Sequence, residues 1–276
     1  MSAPPSAPVA TTSVWQRGAL VAREDCDIAP AIVEVADSWL VEEGTVRGLD
    51  LHRERFFTSI PRSRARELDL EPFWDAAIAS IPRHGTWFPR VELRVQLEAP
   101  QLLFRLREAP TLQRSLVLTT HTGRDPRTAP TIKGPDLASM VRLRTEAQRR
   151  GADEAVIVTG DGHVVEGSTT SIVWWEGGTL CLVDRSLDRV PSTTERTVAA
   201  LATALGIDVE ERRVRPEELD GLEVWALNAV HGIRIVTAWQ GGPPATAEEP
   251  GRLSRWRLRM DALRRPLPEP PGGTER

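Results

Sequence analysis

The chain has 276 residues, of which 40% are hydrophobic and 27% charged, and its formal net charge is −4. These values are ordinary for a soluble globular protein with a sizeable core, in one large domain or two smaller ones. The slightly negative charge argues against binding nucleic acid or an anionic membrane through bulk charge. The sequence also lacks an apolar run of about 18 residues, the length that a membrane span needs.

The N-terminus and the cysteines indicate a cytoplasmic protein. The stretch MSAPPSAPVATTS has neither the basic nor the apolar region of a secretory signal. Cys26 and Cys181 lie far apart and form no metal-type pair, so we expect no metal site and a reducing compartment. Residues 1–13 and 266–276 are predicted to be disordered tails.

Residues 14–121 predict an N-terminal α+β domain. VWQRGALVA is typical of a hairpin, and AIVEVADSWLVEEGTVRGL of two strands joined at EEG. Asp50 is expected to cap a helix that runs to about Ile60, and LEPFWDAAIASI has helical spacing. The runs RVELRVQLE, QLLFRLRE and SLVLTTH are separated by breaks, as in an antiparallel sheet.

Residues 122–131 form a polar, Pro-rich connection, and residues 132–265 predict a second α+β domain. PDLASMVRLRTEAQRRG and PSTTERTVAALATALG are predicted helices that end at Gly151 and Gly206. EAVIVTGDGHVVEG and TSIVWWEGGTLCLVD are predicted hairpins. IDVEERRV, LEVWALNAV and IRIVTAW complete the sheet, and a basic helix covers about residues 252–264.

Lys133 is the only lysine among the 35 Lys and Arg residues. An arginine-rich chain can keep a single lysine by chance. A lysine amine, however, can form a Schiff base with a carbonyl compound, whereas a guanidinium stays protonated. Lys133 stands at the junction of the two predicted domains, and ligand sites often form at domain interfaces.

Two further segments suit a cofactor with a ring nitrogen and a phosphate. Glu166 follows the strand in VVEGSTTS; it is either a solvated carboxylate at a turn or the partner of a pyridine nitrogen. Ser192, Thr193 and Thr194 stand where a helix is predicted to begin. They either cap that helix or bind an anion together with its free backbone N–H groups.

These segments resemble the class IV aminotransferases, which are enzymes of fold type IV that use pyridoxal 5′-phosphate. The resemblance rests on the ordered set of Lys133, GADEA, VVEG, and a proline followed by hydroxyls at a helix start. It is clear over about residues 130–240 and looser in the N-terminal half. The family includes branched-chain and D-amino-acid aminotransferases and 4-amino-4-deoxychorismate lyase. The resemblance implies an α+β fold of two domains, with the active site at their interface.

The resemblance also implies the residues that bind the cofactor. Lys133 would hold pyridoxal 5′-phosphate as a Schiff base and move protons, and Glu166 would pair with the pyridine nitrogen. Thr193 and Thr194 would bind the phosphate, together with the backbone of Ala229 and Val230 in NAVHG. In DLHRERF, Arg55 matches the family's phosphate-binding arginine, with Arg53 as a less favoured substitute.

The chain departs from the family where the substrate pocket is expected. The segment GDGxFE is replaced by EVADSWLVEEG, which contains Ser38, and the chain has no tyrosine to place near the cofactor. Arg105 and Arg107 are two apart on a predicted strand and share a face. Either could receive a substrate carboxylate or face solvent. His231 is a further substrate candidate, with a buried, hydrogen-bonded histidine as the alternative.

Three functions are compatible with these residues. The first is a lyase that eliminates pyruvate and leaves an aromatic amine, since NAVHGIRIV resembles the lyase branch of the family. The second is an amino-acid aminotransferase of the branched-chain or D-amino-acid type, which needs the same cofactor residues. The third is a non-catalytic binding protein on this fold. By resemblance we expect a homodimer that acts on a small molecule.

Overall fold

A computed structural model describes residues 11–23, 32–96 and 99–269 of the chain. The chain divides into two compact units. The first comprises Met1–Pro110 and Arg264–Arg276, and the second comprises Thr111–Leu263. None of the helices in the described ranges combines the length and the apolar character needed to cross a membrane.

Helices and strands are distributed over both units. In chain order, the strands are β1 (Thr11–Gln16), β2 (Ala19–Arg23), β3 (Ile32–Ser38), β4 (Val41–Glu42), β5 (Thr45–Val46), β6 (Thr86–Trp87), β7 (Arg90–Gln96), β8 (Ala99–Leu106), β9 (Ser115–Thr120), β10 (Glu154–Val158), β11 (Val164–Gly167), β12 (Ser171–Glu176), β13 (Thr179–Val183), β14 (Val209–Arg212), β15 (Glu223–Asn228), β16 (Gly232–Gln240) and β17 (Arg265–Pro266). The helices are α1 (Leu49–Ser59), α2 (Arg62–Ala65), α3 (Leu70–Ala79), α4 (Leu137–Arg149), α5 (Thr193–Ala204) and α6 (Arg252–Asp261), with a 3-10 helix at Pro216–Leu219.

The first unit is built on a five-stranded antiparallel sheet in the order β2-β1-β8-β7-β3. A smaller sheet follows the order β17-β5-β4-β6. Aromatic rings supply much of the core: Phe56 of α1 and Phe73 and Trp74 of α3 pack together, and Trp39 contacts Trp74 at 5.0 Å between ring centroids. All four side chains are buried, because α1 and α3 turn their apolar residues inward and Trp39 packs against Trp74 of α3.

The second unit is built on an eight-stranded mixed sheet in the order β11-β10-β9-β16-β15-β12-β13-β14. Residues of alternate strand positions contribute to separate apolar clusters, as the period of a strand requires. One cluster includes residues of α5 and α6, and the T-shaped Trp175, Trp225 and Trp256 lie within it. The helix α4 packs on Ala155 and Ile157 of β10.

The predicted helices and hairpins of the second unit are confirmed. Ser192 caps α5, and its side chain accepts from the Glu195 N–H at 3.2 Å. Gly151 and Gly206 follow α4 and α5 with φ of +81° and +72°, where a glycine is favoured. These signals act within a few residues of chain, which is why the sequence alone could locate the elements.

The structure divides the chain at positions other than the predicted ones. SLVLTTH, assigned to the N-terminal domain, forms β9, which lies within the sheet of the second unit between β10 and β16 and parallel to both. The division falls at Pro110, not within residues 122–131. The prediction of an antiparallel partner in the first unit was wrong because the apolar pattern of a strand does not specify which strand it pairs with.

Both predicted tails extend too far into the ordered chain. Residues 11–13 begin β1, and Thr12 pairs with Arg105 of β8. At the other end, Pro266 belongs to β17 and Leu267 is 3% exposed. Residues 1–10 and 270–276 lie outside the described residues. The helix start also differs: Gly48 is the N-cap of α1, and Asp50 lies in its first turn.

Candidate active site

Lys133 lies in a segment that is hydrogen-bonded to the start of α4 through the buried side chain of Asp136. Asp136, which is 8% exposed, accepts hydrogen bonds from the backbone N–H and hydroxyl of Thr128 (2.9 and 2.8 Å) and from the N–H of Ala129 (2.9 Å). The Ile132 N–H donates to the Ala129 carbonyl at 3.0 Å. Lys133 is half-buried, and it is presented from a short segment held by its own hydrogen bonds.

Glu166 occupies a buried position in β11, opposite Ile157 of β10. Arg127 Nη1 donates to Glu166 Oε1 over 2.5 Å, and the backbone N–H of Val190 donates to the same carboxylate. Burial raises the pKa of Glu166 to about 7, although the charges of Arg127 and Lys133 lower it. Lys133 and Glu166 therefore lie within electrostatic range of each other in the second unit.

The glycine after Glu166 is required by packing. A Cβ atom on Gly167 would collide with the hydroxyl oxygen of Thr170 and come within 3.3 Å of Glu154 Cγ. The Gly167 N–H also donates to the Thr170 carbonyl at 2.7 Å, which closes the loop between β11 and β12. The Glu-Gly pair noted in the sequence is thus a consequence of this tight loop.

The N-terminus of α5 follows shortly after a residue that contacts Glu166. Val190, which donates to Glu166, precedes the cap Ser192 by two positions. Thr193 and Thr194 are 4% and 7% exposed. Free N–H groups and the helix dipole favour an anion at this end, and hydroxyls add donors.

The first turn of α5 also carries a carboxylate, Glu195, whose charge would oppose a phosphate. Burial raises the pKa of Glu195, and Arg189 lowers it. Arg189 Nη2 donates to Glu195 Oε1 at 2.9 Å and to the Val183 carbonyl at 2.9 Å. This buried pairing neutralises the carboxylate, so the N-terminus of α5 remains suited to an anion.

Ala229 and Val230 form the turn between β15 and β16. Asn228 Oδ1 accepts from the His231 N–H at 2.8 Å and so closes this turn. His231 is 7% exposed, and its Nδ1 accepts from the Gln113 N–H at 3.3 Å. Burial lowers the pKa of His231 to about 4, helped by nearby arginines. The imidazole is therefore neutral at neutral pH and carries its proton on Nε2.

Arg55 lies in the first unit and binds a buried aspartate. Its Nε and Nη2 donate to the two oxygens of Asp37 at 2.7 and 2.8 Å, and His52 Nδ1 lies 2.7 Å from Asp37 Oδ1. Burial of Asp37 would raise its pKa, but Arg55 and His52 hold that pKa well below its usual range. No sequence pattern indicates this pairing, and the phosphate contact of Arg55 stays a prediction.

The structure brings three of the predicted substrate residues, Ser38, Arg105 and Arg107, together on the first unit's sheet. Ser38 of β3 pairs with Arg90 of β7, and Arg90 pairs with Arg105 of β8, so these side chains share a face. Arg107 Nη2 donates to Ser38 Oγ at 3.3 Å. Glu92 lies on the same face, is 1% exposed, and has Oε1 2.7 Å from Arg90 Nε.

We call Arg90, Arg94, Arg105 and Arg107, with Glu92 between them, the arginine cluster. Within the described ranges, Glu92 is the one carboxylate within 4.0 Å of these guanidinium groups, so positive charge is in excess. Burial lowers the pKa of Arg107 to about 10, and the charge of Arg90 adds to this. The cluster is thus suited to an anionic partner.

Sequence reasoning missed the residues that support the site. Arg127 lies in the Pro-rich stretch GRDPRTAP, where an arginine is not part of any pattern, and only the fold shows that it reaches Glu166. Asp136 resembled an ordinary helix-start residue. Asp37 did leave a signal: it follows Val35 and Ala36 in the part of strand β3 that is buried, and a buried carboxylate needs partners.

The residues of the second unit fit a phosphorylated pyridine aldehyde. The half-buried amine of Lys133 can react with an aldehyde, and buried Glu166 can accept a hydrogen bond from a ring nitrogen. The N-terminus of α5, with its buried hydroxyls, can hold a phosphate. These features are those of an α+β protein that can accommodate such a cofactor.

The chain belongs to the amino-transferase class IV family, whose model matches residues 34–239. This confirms the predicted family and the fold-type IV α+β fold. It also confirms the predicted cofactor, because pyridoxal 5′-phosphate is the cofactor of class IV aminotransferases.

Comparisons with individual proteins agree with this family. A probable branched-chain-amino-acid aminotransferase of Rickettsia bellii (strain RML369-C) is 30% identical over 82 residues, which cover 29% of this chain and 27% of that protein. The match thus spans about a quarter of the relative's length.

Solved structures share the fold over most of the chain. A branched-chain aminotransferase from Thermoproteus uzoniensis with norvaline has a TM-score of 0.75 and 19% identity, covering 92% of this chain and 96% of its own. A hypothetical aminotransferase from Mycobacterium tuberculosis in its apo form has the same score and identity, covering 92% and 98%. Its PLP-bound form has a TM-score of 0.69 and 17% identity, with the same coverage.

Proposed function

We propose that this chain is a pyridoxal 5′-phosphate-dependent enzyme whose Lys133 holds the cofactor covalently. The observation that carries this proposal is the arrangement around Glu166. The positive charge of Lys133 lowers the pKa of Glu166, and the backbone N–H of Val190, two positions before the cap of α5, donates to the Glu166 carboxylate. An amine, a ring-nitrogen partner and a phosphate site are thereby supported within the second unit. When bound, pyridoxal 5′-phosphate supplies an aldehyde for amines and a ring that withdraws electrons.

Each residue then has a defined task. Lys133 takes a proton from the substrate carbon and returns it, because its amine is the flexible base of the site. Glu166 accepts a hydrogen bond from the ring nitrogen and keeps that nitrogen protonated. The phosphate is bound by two buried hydroxyls and two turn residues of the second unit: Thr193, Thr194, Ala229 and Val230. Arg55 is proposed as a further phosphate contact only because it matches the family's phosphate-binding arginine.

An amino-acid aminotransferase is the reaction that we favour. The family description and the relatives named as branched-chain aminotransferases support it. A lyase is the second candidate, because NAVHGIRIV, which contains the turn at Ala229 and Val230, resembles the lyase branch. The two are separated by adding amino acids to the purified protein. Conversion of the cofactor to its pyridoxamine form, with release of an oxo acid, supports the aminotransferase and excludes a pure lyase.

The covalent role of Lys133 can be tested by chemical trapping. Borohydride reduction followed by peptide mapping should add the mass of the reduced cofactor to one peptide, the one that contains Lys133. Lys133→Arg keeps the charge but cannot form the bond, so turnover should fall by at least about 1,000-fold. The control is Arg124→Gln, which changes an exposed residue nearby and should retain activity. A Lys133→Arg variant with unchanged turnover would refute the proposal, as would a protein that takes up no cofactor.

The arginine cluster supports a substrate that carries an additional carboxylate. We propose that Arg105 and Arg107 bind this group, with Ser38 orienting Arg107 through the 3.3 Å hydrogen bond. His231 is proposed as a substrate contact through its Nε2 proton. If so, acidic amino acids should be better substrates than branched-chain ones. Arg105→Gln should raise KM for acidic substrates about tenfold and leave KM for neutral substrates unchanged.

Two properties of the whole protein remain proposals. We propose a homodimer, on the basis of resemblance to the family, and gel filtration at the mass of one chain would contradict it. A cytoplasmic location is likewise proposed from the sequence, and cell fractionation tests it.

A further inference from the structure

We propose that Arg127 is a positioning residue that holds Glu166 in the orientation and the ionised form that a protonated ring nitrogen needs. This inference rests on the proposed function for the role of Glu166. Its test, however, includes measurements on the protein without cofactor. Arg127 lies in a polar connection without a recognisable pattern, so the sequence alone does not indicate a function for it.

The guanidinium of Arg127 is fixed on both sides. Nη1 donates to Glu166 Oε1 at 2.5 Å and to the Asp188 carbonyl at 3.0 Å. On the other edge, Nε lies 3.0 Å from Asp125 Oδ1 and Nη2 lies 2.7 Å from Asp125 Oδ2, which is a bidentate pair. The Arg127 side chain is only 5% exposed. A group held this way leaves Glu166 little freedom to rotate.

The charges around Glu166 explain why such a residue is useful. Burial favours the neutral form of Glu166, and a neutral carboxylic acid cannot stabilise a protonated ring nitrogen by charge. Arg127 and Lys133 are the cations whose charges lower the pKa of Glu166. Asp125 binds the opposite edge of the Arg127 guanidinium, and the charge of His121 contributes to lowering the pKa of Asp125. Arg127 also contacts the carboxylate directly, because its Nη1 donates to Glu166 Oε1.

This arrangement predicts opposite effects on the pKa of Glu166 for substitutions at Arg127 and at its partner Asp125. Arg127→Gln removes the cation and should raise the pKa of Glu166. Asp125→Asn removes the anion that competes for Arg127, so the pKa of Glu166 should fall. A purely structural role would instead loosen the site in both variants and move the pKa in no particular direction.

The experiment measures Glu166 in the cofactor-free protein. Carbon-13 NMR of glutamate-labelled protein follows the carboxyl signals with pH, and the Glu166 signal is identified by its loss in Glu166→Gln. Arg127→Lys keeps the charge and should restore most of the pKa. Arg124→Gln, an exposed arginine on the same connection, is the matched control and should change nothing.

A second measurement links this effect to the cofactor. Equilibrium dialysis of pyridoxal 5′-phosphate at pH 7.5 should show about tenfold weaker binding by Arg127→Gln. In a Glu166→Gln background, the same change should have no further effect, because the target of Arg127 is gone. Circular dichroism verifies folding, and Asp125→Asn provides the test if Arg127→Gln does not fold.

The outcomes separate this inference from the proposed function. Opposite pKa changes in the two variants, together with loss of the affinity effect in the Glu166→Gln background, establish it. An unchanged Glu166 pKa in Arg127→Gln, or a fall of affinity that persists without Glu166, overturns it while borohydride trapping at Lys133 still succeeds. Failure of trapping in the unmodified protein overturns the proposed function instead.

Discussion

Glu166 is ionisable and buried, and its pKa of about 7 against the ordinary 4.5 has a consequence for stability. A carboxyl whose pKa is higher in the folded state binds more protons when folded. The folded state of the cofactor-free protein should therefore lose stability as pH rises from about 4.5 to about 7, by up to about 3 kcal/mol.

Urea unfolding at pH 5 and pH 7.5 measures this loss, and Glu166→Gln should abolish it. His231 has the opposite effect on stability. Because its pKa is lowered from 6.5 to about 4, its contribution to the stability of the folded state increases as pH rises between these two values. Its contribution is the same in both proteins and cancels in the difference. An equal pH dependence with and without Glu166 would contradict the expectation.

Asp37 is the second residue whose buried charge can be tested. Asp37→Asn removes the buried negative charge that Arg55, itself 8% exposed, and His52 share. Breaking a buried pair in this way should cost about 3–5 kcal/mol in the free energy of unfolding. The control is Glu71→Gln, which breaks the exposed pair with Arg53 and should cost less than about 1 kcal/mol. Thermal unfolding of both variants provides the measurement.

At the scale of elements, Asp136 joins the Lys133 segment to the start of α4. It accepts three hydrogen bonds from Thr128 and Ala129. Asp136→Ala should lower stability by about 1–3 kcal/mol and weaken cofactor binding, because the segment that presents Lys133 is no longer held. Hydrogen exchange should be faster for residues 128–136. Glu146→Ala, an exposed change on the same helix, should leave exchange and binding unchanged.

The elements also show what the sequence pattern could and could not provide. The helices α4 and α5 were located from capping residues and glycines, which act locally. The strand β9 was recognised as a strand, but its sheet was not, because both of its partners are distant in sequence. Lys133 and Glu166 could be selected from the sequence because they stand in recognisable segments. Arg127 could not, because only the fold brings it to Glu166.

At the scale of the whole molecule, the end of the described chain belongs to the first unit. The strand β17 pairs with β5, the Leu267 N–H donates to the Gly44 carbonyl at 2.9 Å, and Arg83 donates to the Pro268 carbonyl at 2.6 Å. The second unit is therefore an insertion between two segments that build the first. The first unit is thus built from two segments that are far apart in sequence.

Leu267 tests this closure. Leu267→Ala removes a buried side chain and should lower the free energy of unfolding by about 2–4 kcal/mol. Glu269→Ala changes an exposed residue two positions further and should have no measurable effect. Chemical denaturation of both variants gives the comparison. Equal stability of Leu267→Ala and the unmodified protein would show that this segment does not contribute to the core.

The amino-acid sequence by itself located most helices and hairpins of this protein, because periodicity, caps and glycines act over short stretches of chain. It indicated the family and the cofactor through the resemblance of the segments around Lys133, Glu166 and the start of α5 to the class IV aminotransferases. Only the tertiary structure decided which strands pair beyond the hairpins, where the units divide and which charged side chains contact each other. Arg127 reaches Glu166, Arg55 is bound by Asp37, and the arginines of β7 and β8 gather around Glu92. These contacts depend on burial and on chain topology, which bring together residues that no local pattern connects.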